Sequence, residues 1–510
     1  MAFDYQTIDL PVKDVIPQIQ QGLTDSSTLI VKAPPGAGKS TLVPLALLND
    51  DWLKGQKIIM LEPRRLAAKT IANRMADLLG EKVGETVGYR IRFDNKIGPN
   101  TKLEVVTEGI LTRMIHQDNA LEGVGLVIFD EFHERSIHAD VAMALCREAQ
   151  TILRQDLRIL VMSATLNMPE LSSMLDAEVV ESKGRQYPVT INHVGDSDEK
   201  LIPELAARSV KNALEKHDGD VLVFLPGQGE IKKCEEILRH SLKGVKIHPL
   251  YGQLPPNKQM AAIMPDKEGN RKVVLATNIA ETSLTIEGIK IVIDSGYERV
   301  AKFNPNSGLS RLETVQISVN SADQRAGRAG RLSEGVCYRM WTLATHLRLD
   351  EHGTPEIEQA DLSSLVLDMA QWGITDPHQL TWLSPPPRGH VAQASYLLHE
   401  LEAIEDSRIT EHGKQLHKLP THPRIAHMLI KAEENNQLAL ATDIASILEE
   451  RDPLPKEAGI DINLRIEALR RYRREKIGSH RFGRIDKIAG QYRQLFKIEV
   501  DNSPIVPEDV

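Results

Sequence analysis

The sequence of 510 residues contains only three cysteines and no long apolar run. The cysteines, Cys146, Cys234 and Cys337, lie far apart and form no C-x-x-C pair, which argues against a disulfide framework and a cysteine zinc site. This cysteine usage fits a reducing cytoplasm, where we expect the protein to reside. No apolar run approaches the roughly 18 residues of a membrane helix, so we expect no transmembrane anchor. The first residues combine an early Asp4 with no basic-then-apolar segment, which predicts no secretory signal.

Positive charge is not in excess either. The chain has 62 Lys and Arg residues against 71 Asp and Glu residues, a formal net charge of −9. This balance argues against a protein that binds nucleic acid with its whole surface, but it allows a localised basic channel because affinity follows the local potential. An apolar fraction of 41% and a charged fraction of 26% are ordinary for a soluble protein and exclude a disordered or collagen-like chain. The length predicts about three or four globular units.

Short apolar runs alternate with helical stretches, a pattern typical of βαβ units. Most of the runs are continuous, as expected for strands covered on both faces. The runs expected in a first sheet are 28–32, 57–61, 103–107, 126–129 and 158–162. Those expected in a second sheet are 220–225, 245–249, 272–276, 290–294 and 336–341. We interpret the pattern as two similar α/β domains with parallel sheets, joined near Lys183-Gly184.

Two other regions have a different character. Residues 298–318 carry two strand-like runs on either side of the cluster Asn304-Pro305-Asn306-Ser307-Gly308. Because this cluster consists of turn-forming residues, the segment predicts a β-hairpin that protrudes from the second sheet. Beyond about Leu349 the strand signals fade, and helical periodicity predicts an α-helical region from 357 to 498.

A phosphate-binding loop follows the first predicted strand. Residues 33–40, Ala-Pro-Pro-Gly-Ala-Gly-Lys-Ser, match the pattern of such loops except for alanine at the first position. Gly36 and Gly38 let backbone N–H groups turn toward phosphates, and the following helix N-terminus adds partial positive charge. We expect Lys39 at the β- and γ-phosphates and the Ser40 hydroxyl at Mg²⁺. The loop residues expected to hold ATP are Gly36, Ala37, Gly38, Lys39, Ser40 and Thr41. The alternative interpretation is a Gly/Pro-rich turn that only caps a helix.

Two acids follow the apolar run 126–129, so they should emerge at the carboxyl end of a strand. Open α/β sheets bind their ligands at that edge. We assign Asp130 to the Mg²⁺ ion and Glu131 to the attacking water. An isolated acidic pair after a strand is more often a solvated cap, but together with the lysine loop it predicts a hydrolysis site.

The second α/β domain contains an arginine series, Gln324-Arg325-Ala326-Gly327-Arg328-Ala329-Gly330-Arg331. If the segment is helical, its three arginines lie along one side of the helix. By itself the series could be a nucleic-acid-binding helix or a solvated face. With a hydrolysis site in the first domain, arginine fingers are favoured, and such fingers accelerate hydrolysis about 10³–10⁵-fold. Hydrolysis would then depend on closure of the two domains.

With these elements in this order, the sequence resembles superfamily-2 helicases of the DEAH/RHA type, most closely their bacterial HrpB-type branch. Phe132, within Asp-Glu-Phe-His-Glu-Arg-Ser at 130–136, is similar to that branch. Further matches to family motifs are Pro63-Arg64-Arg65, Thr107-Glu108-Gly109, Ser163-Ala164-Thr165, Phe224-Leu225-Pro226-Gly227 and Ala276-Thr277-Asn278-Ile279-Ala280-Glu281-Thr282-Ser283. The resemblance covers nearly the whole chain. It implies two tandem RecA-like P-loop domains, with ATP between them and RNA across their top.

The resemblance also implies roles for individual residues. The catalytic residues would be Glu131, Gln324, Arg328 and Arg331. The residues that couple the nucleotide site to the strand would be His133, Ser163 and Thr165. The residues that contact the strand, by holding phosphates without reading sequence, would be Arg64, Arg65, Arg92, Phe93, Thr107, Gly227 and Thr277. N-capping is the alternative for the isolated hydroxyl residues, and ordinary strand packing is the alternative for Arg92-Phe93.

The adenine pocket of this family sandwiches the base between an arginine and an aromatic residue. Arg74 suits the first position, and Met264 occupies the position of the aromatic residue. A thioether can lie on a base but stacks less well than a phenyl ring. The sequence therefore predicts weak discrimination among nucleoside triphosphates, with a preference for ATP over GTP below about a hundredfold, or about 2.7 kcal/mol.

By the same resemblance, RecA-like domains span 1–183 and 184–348, a winged-helix domain spans 349–418, and a helical ratchet-like domain spans 419–510. The relatives continue with an OB-like domain, so we expect this chain, which stops at Val510, to lack part of the strand-binding surface. The tail 461–500 carries eleven Lys or Arg residues against five acids. Two interpretations of its arginines stay open, an RNA path and a solvated helical face. These arginines are Arg470, Arg471, Arg473 and Arg474.

The leading hypothesis is an RNA helicase that uses Mg²⁺ and ATP to move 3′→5′ along single-stranded RNA, as a monomer and without a membrane partner. The polarity is implied by the resemblance. The alternative is a nucleic-acid-stimulated ATPase that remodels RNA–protein complexes or acts on DNA, because none of the phosphate-holding motifs needs a 2′-hydroxyl. A module in which ATP only sets conformation is disfavoured, because the water-activating, water-positioning and finger residues are all present.

Overall fold

The computed structural model describes residues 3–92, 94–164, 166–184, 187–196, 198–266, 268–282, 286–304, 309–476, 480–504 and 510. Two predicted site residues, Phe93 and Thr165, lie outside this part of the chain, as does the predicted hairpin turn at 305–308. The chain divides into two compact units, residues 1–360 with 380–387, and residues 361–379 with 388–510. Within the described ranges, no helix combines the length and apolarity needed to cross a membrane.

The first unit begins with an eight-stranded sheet. Its strands are β1 (Thr28–Lys32), β2 (Lys57–Leu61), β3 (Val87–Ile91), β4 (Asp94–Lys96), β5 (Leu103–Val106), β6 (Val124–Phe129), β7 (Arg158–Ser163) and β8 (Glu178–Glu181). The order across the sheet is β4-β3-β5-β2-β6-β7-β1-β8, and only the β3–β4 pair is antiparallel. The helices are α1 (Ile16–Asp25), α2 (Lys39–Leu47), α3 (Arg65–Leu79), α4 (Glu108–Gln117), α5 (Ile137–Ile152) and α6 (Met168–Leu175). Every residue of β6 is buried, which explains its unbroken apolar sequence.

A six-stranded sheet follows in the same unit. Its strands are β9 (Val189–His193), β10 (Asp220–Phe224), β11 (Lys246–Leu250), β12 (Lys272–Ala276), β13 (Ile289–Asp294) and β16 (Gly335–Arg339), in the order β11-β12-β10-β13-β16-β9. All five pairings are parallel. The helices are α7 (Ile202–Lys216), α8 (Gln228–Ser241), α9 (Pro256–Ile263), α10 (Val319–Gly327) and the short α11 (Leu343–His346). All ten predicted strands are confirmed, each to within two residues at either end.

The predicted hairpin is formed by β14 (Tyr297–Asn304) and β15 (Leu309–Gln316), which pair antiparallel. Residues of β14 tie it to the rest of the unit. Arg299 forms an ion pair with Glu230 of α8 at 2.9 Å, and the backbone N–H of Phe303 donates to the Gln359 carbonyl at 2.8 Å. The hairpin is therefore held by contacts of β14 as well as through its ends.

The second unit is helical. Its helices are α12 (Ser363–Trp372), α13 (Arg388–Glu400), α14 (Glu411–Lys418), α15 (Pro423–Glu434), α16 (Leu438–Leu448), α17 (Ile462–Glu475) and α18 (His480–Phe496). The two-residue strands β17 (Ile404–Glu405) and β18 (Arg408–Ile409) pair antiparallel. Apolar side chains of α16, α17 and α18 form one of its cores. The helical character predicted beyond 349 is confirmed, and the boundary between a winged-helix and a ratchet-like domain at 418 stays a prediction.

Candidate nucleotide site and strand-binding surface

The predicted phosphate loop joins β1 to α2. Gly36 and Gly38 have φ angles of +86° and +93°, in the left-handed region where a side chain is disfavoured. At Gly38 a Cβ atom would also lie 2.8 Å from the Leu10 side chain. Since α2 begins at Lys39, its unpaired N-terminal amides face the same loop. The loop therefore has the backbone form that an anion site requires.

Lys39 and Glu131 meet at the centre of this site. Lys39 Nζ donates to Glu131 Oε1 at 2.6 Å, and the two side chains are only 3% and 5% exposed. Burial opposes the charge of Lys39, but the carboxylates of Glu131 and Asp130 outweigh it and raise its pKa. Burial also opposes the charge of Glu131, but Lys39 and His133 outweigh it and lower its pKa to about 2. Glu131 is therefore ionised throughout the neutral range.

Asp130 lies beside this pair at the carboxyl end of β6. Its backbone N–H donates to the Leu61 carbonyl at 3.0 Å, and its Oδ1 accepts from the Glu131 backbone N–H at 2.9 Å. Burial raises the pKa of Asp130 to about 7, against the lowering effects of Lys39 and of a hydrogen bond with Ser40. The hydroxyl of Ser40 and the carboxylate of Asp130 are hard oxygen donors, so these residues fit a magnesium ion. A cation there would favour the charged form that burial opposes.

Backbone strain accompanies the acids. Glu131 has a φ angle of +51°, and Arg135 has one of +50°, with the 3₁₀ turn Phe132–Glu134 between them. Non-glycine residues in this region carry strain that tends to cluster at functional sites. The turn places His133 Nδ1 3.4 Å from Glu131 Oε2, and both side chains are buried. Ser163, the last residue of β7, is fully buried.

The arginine series is only partly helical, which corrects the expectation of three arginines along one helix side. Helix α10 ends at Gly327, so Arg328 is its C-cap and Arg331 lies beyond it. Arg325 is 1% exposed and forms ion pairs with Glu281 at 2.8 Å and Asp294 at 3.1 Å. The low helix propensity of Gly327 favours a helix end at this position.

Arg328 and Arg331 nevertheless lie within electrostatic range of Glu131. Arg328 Nε donates to the Glu281 carbonyl at 2.9 Å, and another of its nitrogens donates to the Thr282 carbonyl. Burial lowers the pKa of Arg328, with a further lowering by Arg331 that Glu131 opposes. Burial lowers the pKa of Arg331 to about 10, and Glu131 opposes this effect as well. Both arginines therefore interact electrostatically with the carboxylate that pairs with Lys39.

Next to this site, residues of both α/β domains line a cleft of about 520 Å³. His133 and the half-buried Gln324 contribute to its wall. Several carboxylates share the cleft, namely Glu134, Glu170, Glu281, Glu298, Glu356 and Glu358. The cleft thus lies between the turn that follows Glu131 and Gln324, the first residue of the arginine series.

Comparisons with known proteins agree with this arrangement. Residues 12–174 match the family described as DEAD/DEAH box helicase, and residues 201–333 match the helicase conserved C-terminal domain. The ATP-dependent RNA helicase HrpB of Escherichia coli is 48% identical over 443 residues, which cover 86% of this chain and 55% of that protein. The chain belongs to the DEAD/DEAH box helicase family.

Other relatives and a solved structure support the assignment. The ATP-dependent RNA helicase HrpA of Borreliella burgdorferi is 36% identical over 84% of this chain and 53% of its own length. The probable ATP-dependent RNA helicase DHR2 of Saccharomyces cerevisiae is 35% identical over 88% of this chain and 63% of its own length. The crystal structure of the E. coli DEAH/RHA helicase HrpB has a TM-score of 0.86 and 44% identity, covering 96% of this chain and 61% of that one. This chain thus spans between about half and two thirds of these relatives, and its tandem RecA-like domains are confirmed.

In this helicase-family chain, the predicted strand-contacting residues take different positions. Arg64 Nε donates to both carboxylate oxygens of Glu134, at 3.1 and 3.3 Å, and Arg65 is exposed at the start of α3. Arg92 is half-buried just after β3. Thr107 and Thr277 occupy N-cap positions, of α4 and of the 3₁₀ turn Asn278–Ala280, but neither side chain makes a capping hydrogen bond. Capping therefore does not account for these two threonines.

Gly227 has a packing reason for lacking a side chain. A Cβ atom there would lie 2.9–3.1 Å from the guanidinium group of Arg299, which belongs to the hairpin. Gly227 immediately precedes α8, so it allows this arginine to approach the helix N-terminus. Sequence reasoning assigned no role to Glu134, Glu281 or Thr282, although each stands within a motif that it recognised.

The two adenine-pocket candidates lie on different α/β domains of this family member. Arg74 is exposed on α3, and Met264, 54% exposed, follows α9 directly. The Met264 carbonyl accepts from Nζ of Lys272 at 2.8 Å, and the carbonyls of Ala262 and Ile263 accept from it at 3.2 Å. Lys272 is fully buried, and its ammonium group caps the carbonyls at the end of α9. Sequence reasoning missed this contact because a lysine at this position is ordinary for the start of a strand.

Two of the four arginines named in the basic tail are buried, and the other two are exposed. Arg473 donates to both oxygens of Asp443, at 2.6 and 3.0 Å, and Arg470 lies 3.4 Å from the same carboxylate. Both arginines are buried, so the interpretation as a solvated face is wrong for them, and their contacts are internal to the helical unit. By contrast, Arg471 is exposed and pairs with Glu475, and Arg474 is exposed and donates to the Asn502 carbonyl.

Proposed function

We propose that the chain hydrolyses ATP with Mg²⁺ in the site between its two α/β domains and uses the cycle to move 3′→5′ along single-stranded RNA. The observation that carries this proposal is the convergence of three motifs on one carboxylate. Glu131 pairs with Lys39 and interacts electrostatically with Arg328 and Arg331. The family membership supports the use of a nucleotide, and the RNA substrate follows from the names of the relatives.

In the proposed chemistry, the phosphate loop and the N-terminus of α2 bind the triphosphate, and Lys39 contacts its outer phosphates. Ser40 and Asp130 would hold the magnesium ion, which neutralises developing charge on the phosphates. Glu131, with its lowered pKa, is ionised at neutral pH and can accept the proton of the attacking water. Gln324 orients that water, while Arg328 and Arg331 stabilise the charge of the transition state.

Coupling to the strand is proposed to run through His133, Ser163 and Thr165. His133 contacts Glu131 and lines the cleft between the two domains, so it is placed to respond to both. The strand contacts proposed above do not require a 2′-hydroxyl. Because the chain carries a net negative charge, it can bind phosphates only where its guanidinium groups are concentrated. We propose that the chain acts as a monomer in the cytoplasm, and that domains 349–418 and 419–510 are of the winged-helix and ratchet-like types.

The test is a strand-displacement assay with ATP on RNA duplexes that carry a 3′ or a 5′ single-stranded tail. We expect displacement only with the 3′ tail, and none by a Lys39→Ala variant. Full-length E. coli HrpB serves as the reference for a longer chain. Parallel ATPase assays with single-stranded RNA and DNA of equal length measure substrate choice. Stimulation by RNA without displacement would favour the alternative, an ATPase that remodels RNA–protein complexes, and equal stimulation by DNA would remove the RNA assignment.

A further inference from the structure

Glu134 is a half-buried carboxylate without a role in the proposed chemistry. It ends the 3₁₀ turn Phe132–Glu134, and its backbone N–H donates to the Glu131 carbonyl at 2.9 Å. Its side chain accepts from Nε of Arg64 at 3.1 and 3.3 Å. Arg64 also reaches the second α/β domain, where a terminal nitrogen donates to the Asn278 carbonyl at 2.9 Å. The predicted strand contact is therefore held by internal acceptors.

Glu134 is also linked through Thr282 to Arg328, one of the predicted arginine fingers. Its carboxylate accepts from the Thr282 hydroxyl. The carbonyl of Thr282 accepts from a terminal nitrogen of Arg328, and Arg328 Nε donates to the neighbouring Glu281 carbonyl at 2.9 Å. A continuous polar path thus runs from Arg64 through Glu134 and Thr282 to Arg328. The hydrogen bond between Thr282 and Glu134 is the step at which this path crosses from one α/β domain to the other.

We infer that Glu134 is a positioning residue that couples phosphate binding at Arg64 to the position of the Arg328 finger. This inference rests on the proposed function, since it takes Arg64 as a strand contact and Arg328 as a finger. A phosphate offers the same bidentate acceptor geometry to a guanidinium group as a carboxylate does, so RNA competes with Glu134 for Arg64. When Arg64 turns to a phosphate, Glu134 and Thr282 lose the partner that fixes them.

The consequence for hydrolysis follows from what holds Arg328. When no RNA strand is bound, the polar path keeps the guanidinium group of Arg328 hydrogen-bonded to two backbone carbonyls. Release of Thr282 frees these carbonyls to move and lets Arg328 turn toward the triphosphate. Because coupling between two binding equilibria is reciprocal, nucleotide that draws Arg328 away should also free Arg64 for RNA.

The experiment compares Glu134→Gln with the unmodified chain. Glutamine keeps the shape and the acceptor for Thr282 but removes the charge that holds Arg64. We expect about tenfold tighter binding of single-stranded RNA, which corresponds to about 1.4 kcal/mol. We also expect a several-fold higher ATPase rate without RNA and a smaller stimulation by RNA. Glu358→Gln is the matched control, because it removes an exposed charge from the same cleft. Equal changes in both variants would show simple charge repulsion and overturn the inference.

Two further measurements keep the test decisive. In an Arg64→Ala background, Glu134→Gln should have no additional effect on RNA affinity, and additive effects would overturn the inference. Thr282→Val should raise the RNA-free ATPase rate, whereas Thr282→Ser should not, and this pair replaces the Glu134 variant if that protein fails to fold. An unmodified chain without RNA-stimulated ATPase would refute the proposed function as well, whereas stimulation that Glu134→Gln leaves unchanged refutes only this inference.

Discussion

Lys39 Nζ and Glu131 Oε1 lie 2.6 Å apart, in a pair whose side chains are 3% and 5% exposed. The two residues come from loops after β1 and β6, which are separated in the sheet by β7. In this arrangement the lysine that should bind phosphate and the carboxylate that should activate water neutralise each other. A triphosphate that enters the loop competes for the lysine, and the carboxylate is then available for water.

The pair makes Glu131→Gln a diagnostic variant. We expect the ATPase kcat to fall about 10²–10⁴-fold, because glutamine cannot accept the proton of the attacking water. Nucleotide affinity should be unchanged or higher, since Lys39 loses its anionic competitor. Initial ATPase rates and titration with a fluorescent ATP analogue measure the two effects. Retained turnover would remove Glu131 from its proposed role, and lost nucleotide binding would mean that the pair is needed to shape the loop.

Two arginines of the same motif should respond differently to truncation. Arg325→Ala leaves Glu281 and Asp294 without their buried partner and should lower the free energy of unfolding by about 3–5 kcal/mol. Arg328→Ala should lower the free energy of unfolding by only about 1–2 kcal/mol, since it donates to backbone carbonyls. Its ATPase rate should fall about 10³-fold. Denaturant unfolding and ATPase assays on both variants separate a structural from a catalytic role. If Arg328→Ala were the more destabilising variant and Arg325→Ala the less active one, the two roles would have to be exchanged.

The parts of the site that depend on short chain segments could be predicted from sequence. Gly36, Gly38 and Lys39 are adjacent, and their strand–loop–helix setting comes from local apolar patterns. The same is true of Asp130 and Glu131 after β6. Strands β8 and β9 were missed for the opposite reason, because they lack continuous apolar runs and most of their residues are exposed or half-buried.

Contacts between distant segments could not be predicted in this way. Glu134 lies 70 residues from Arg64 and 148 residues from Thr282, so no local pattern indicates that they meet. Likewise, the sequence around Arg473 is typical of an exposed basic helix, and nothing in it indicates that Arg473 binds Asp443 of α16, 30 residues away. The buried partners of Arg325 are also distant in the sequence, since Glu281 and Asp294 lie 44 and 31 residues away.

The adenine pocket gives a prediction about selectivity. Met264 is 54% exposed, and a thioether stacks on a purine less well than a phenyl ring. Met264→Phe should therefore lower the KM for ATP several-fold and leave kcat nearly unchanged. Steady-state ATPase kinetics with ATP and GTP measure this. In the unmodified chain, a preference for ATP over GTP above about a hundredfold, or about 2.7 kcal/mol, would contradict the pocket.

The tail arginines provide a matched pair for stability. Arg473→Ala leaves Asp443, which is 1% exposed, with weaker partners at 3.4 and 3.5 Å and should lower the free energy of unfolding by about 3 kcal/mol. Arg471→Ala removes only an exposed pair with Glu475 and should leave the free energy of unfolding nearly unchanged. Urea unfolding followed by circular dichroism compares them. Similar effects of the two variants would contradict a buried network in this unit.

Glu108 should make the stability of the chain depend on pH. Burial, partly offset by a hydrogen bond with Ser136, raises its pKa from about 4.5 to about 8, and the nearby Glu134 and Glu356 add to the increase. Since the folded state then binds this proton more tightly than the unfolded state, the contribution is fully present below about pH 4.5 and is lost as the pH rises toward 8. Glu108→Gln cannot ionise, so its stability relative to the unmodified chain should increase by about 3 kcal/mol between pH 5 and pH 8. Urea titrations at several pH values measure the difference, and the exposed Glu122→Gln is the control. A Glu108→Gln profile parallel to that of the unmodified chain would mean that Glu108 is already ionised in the folded state.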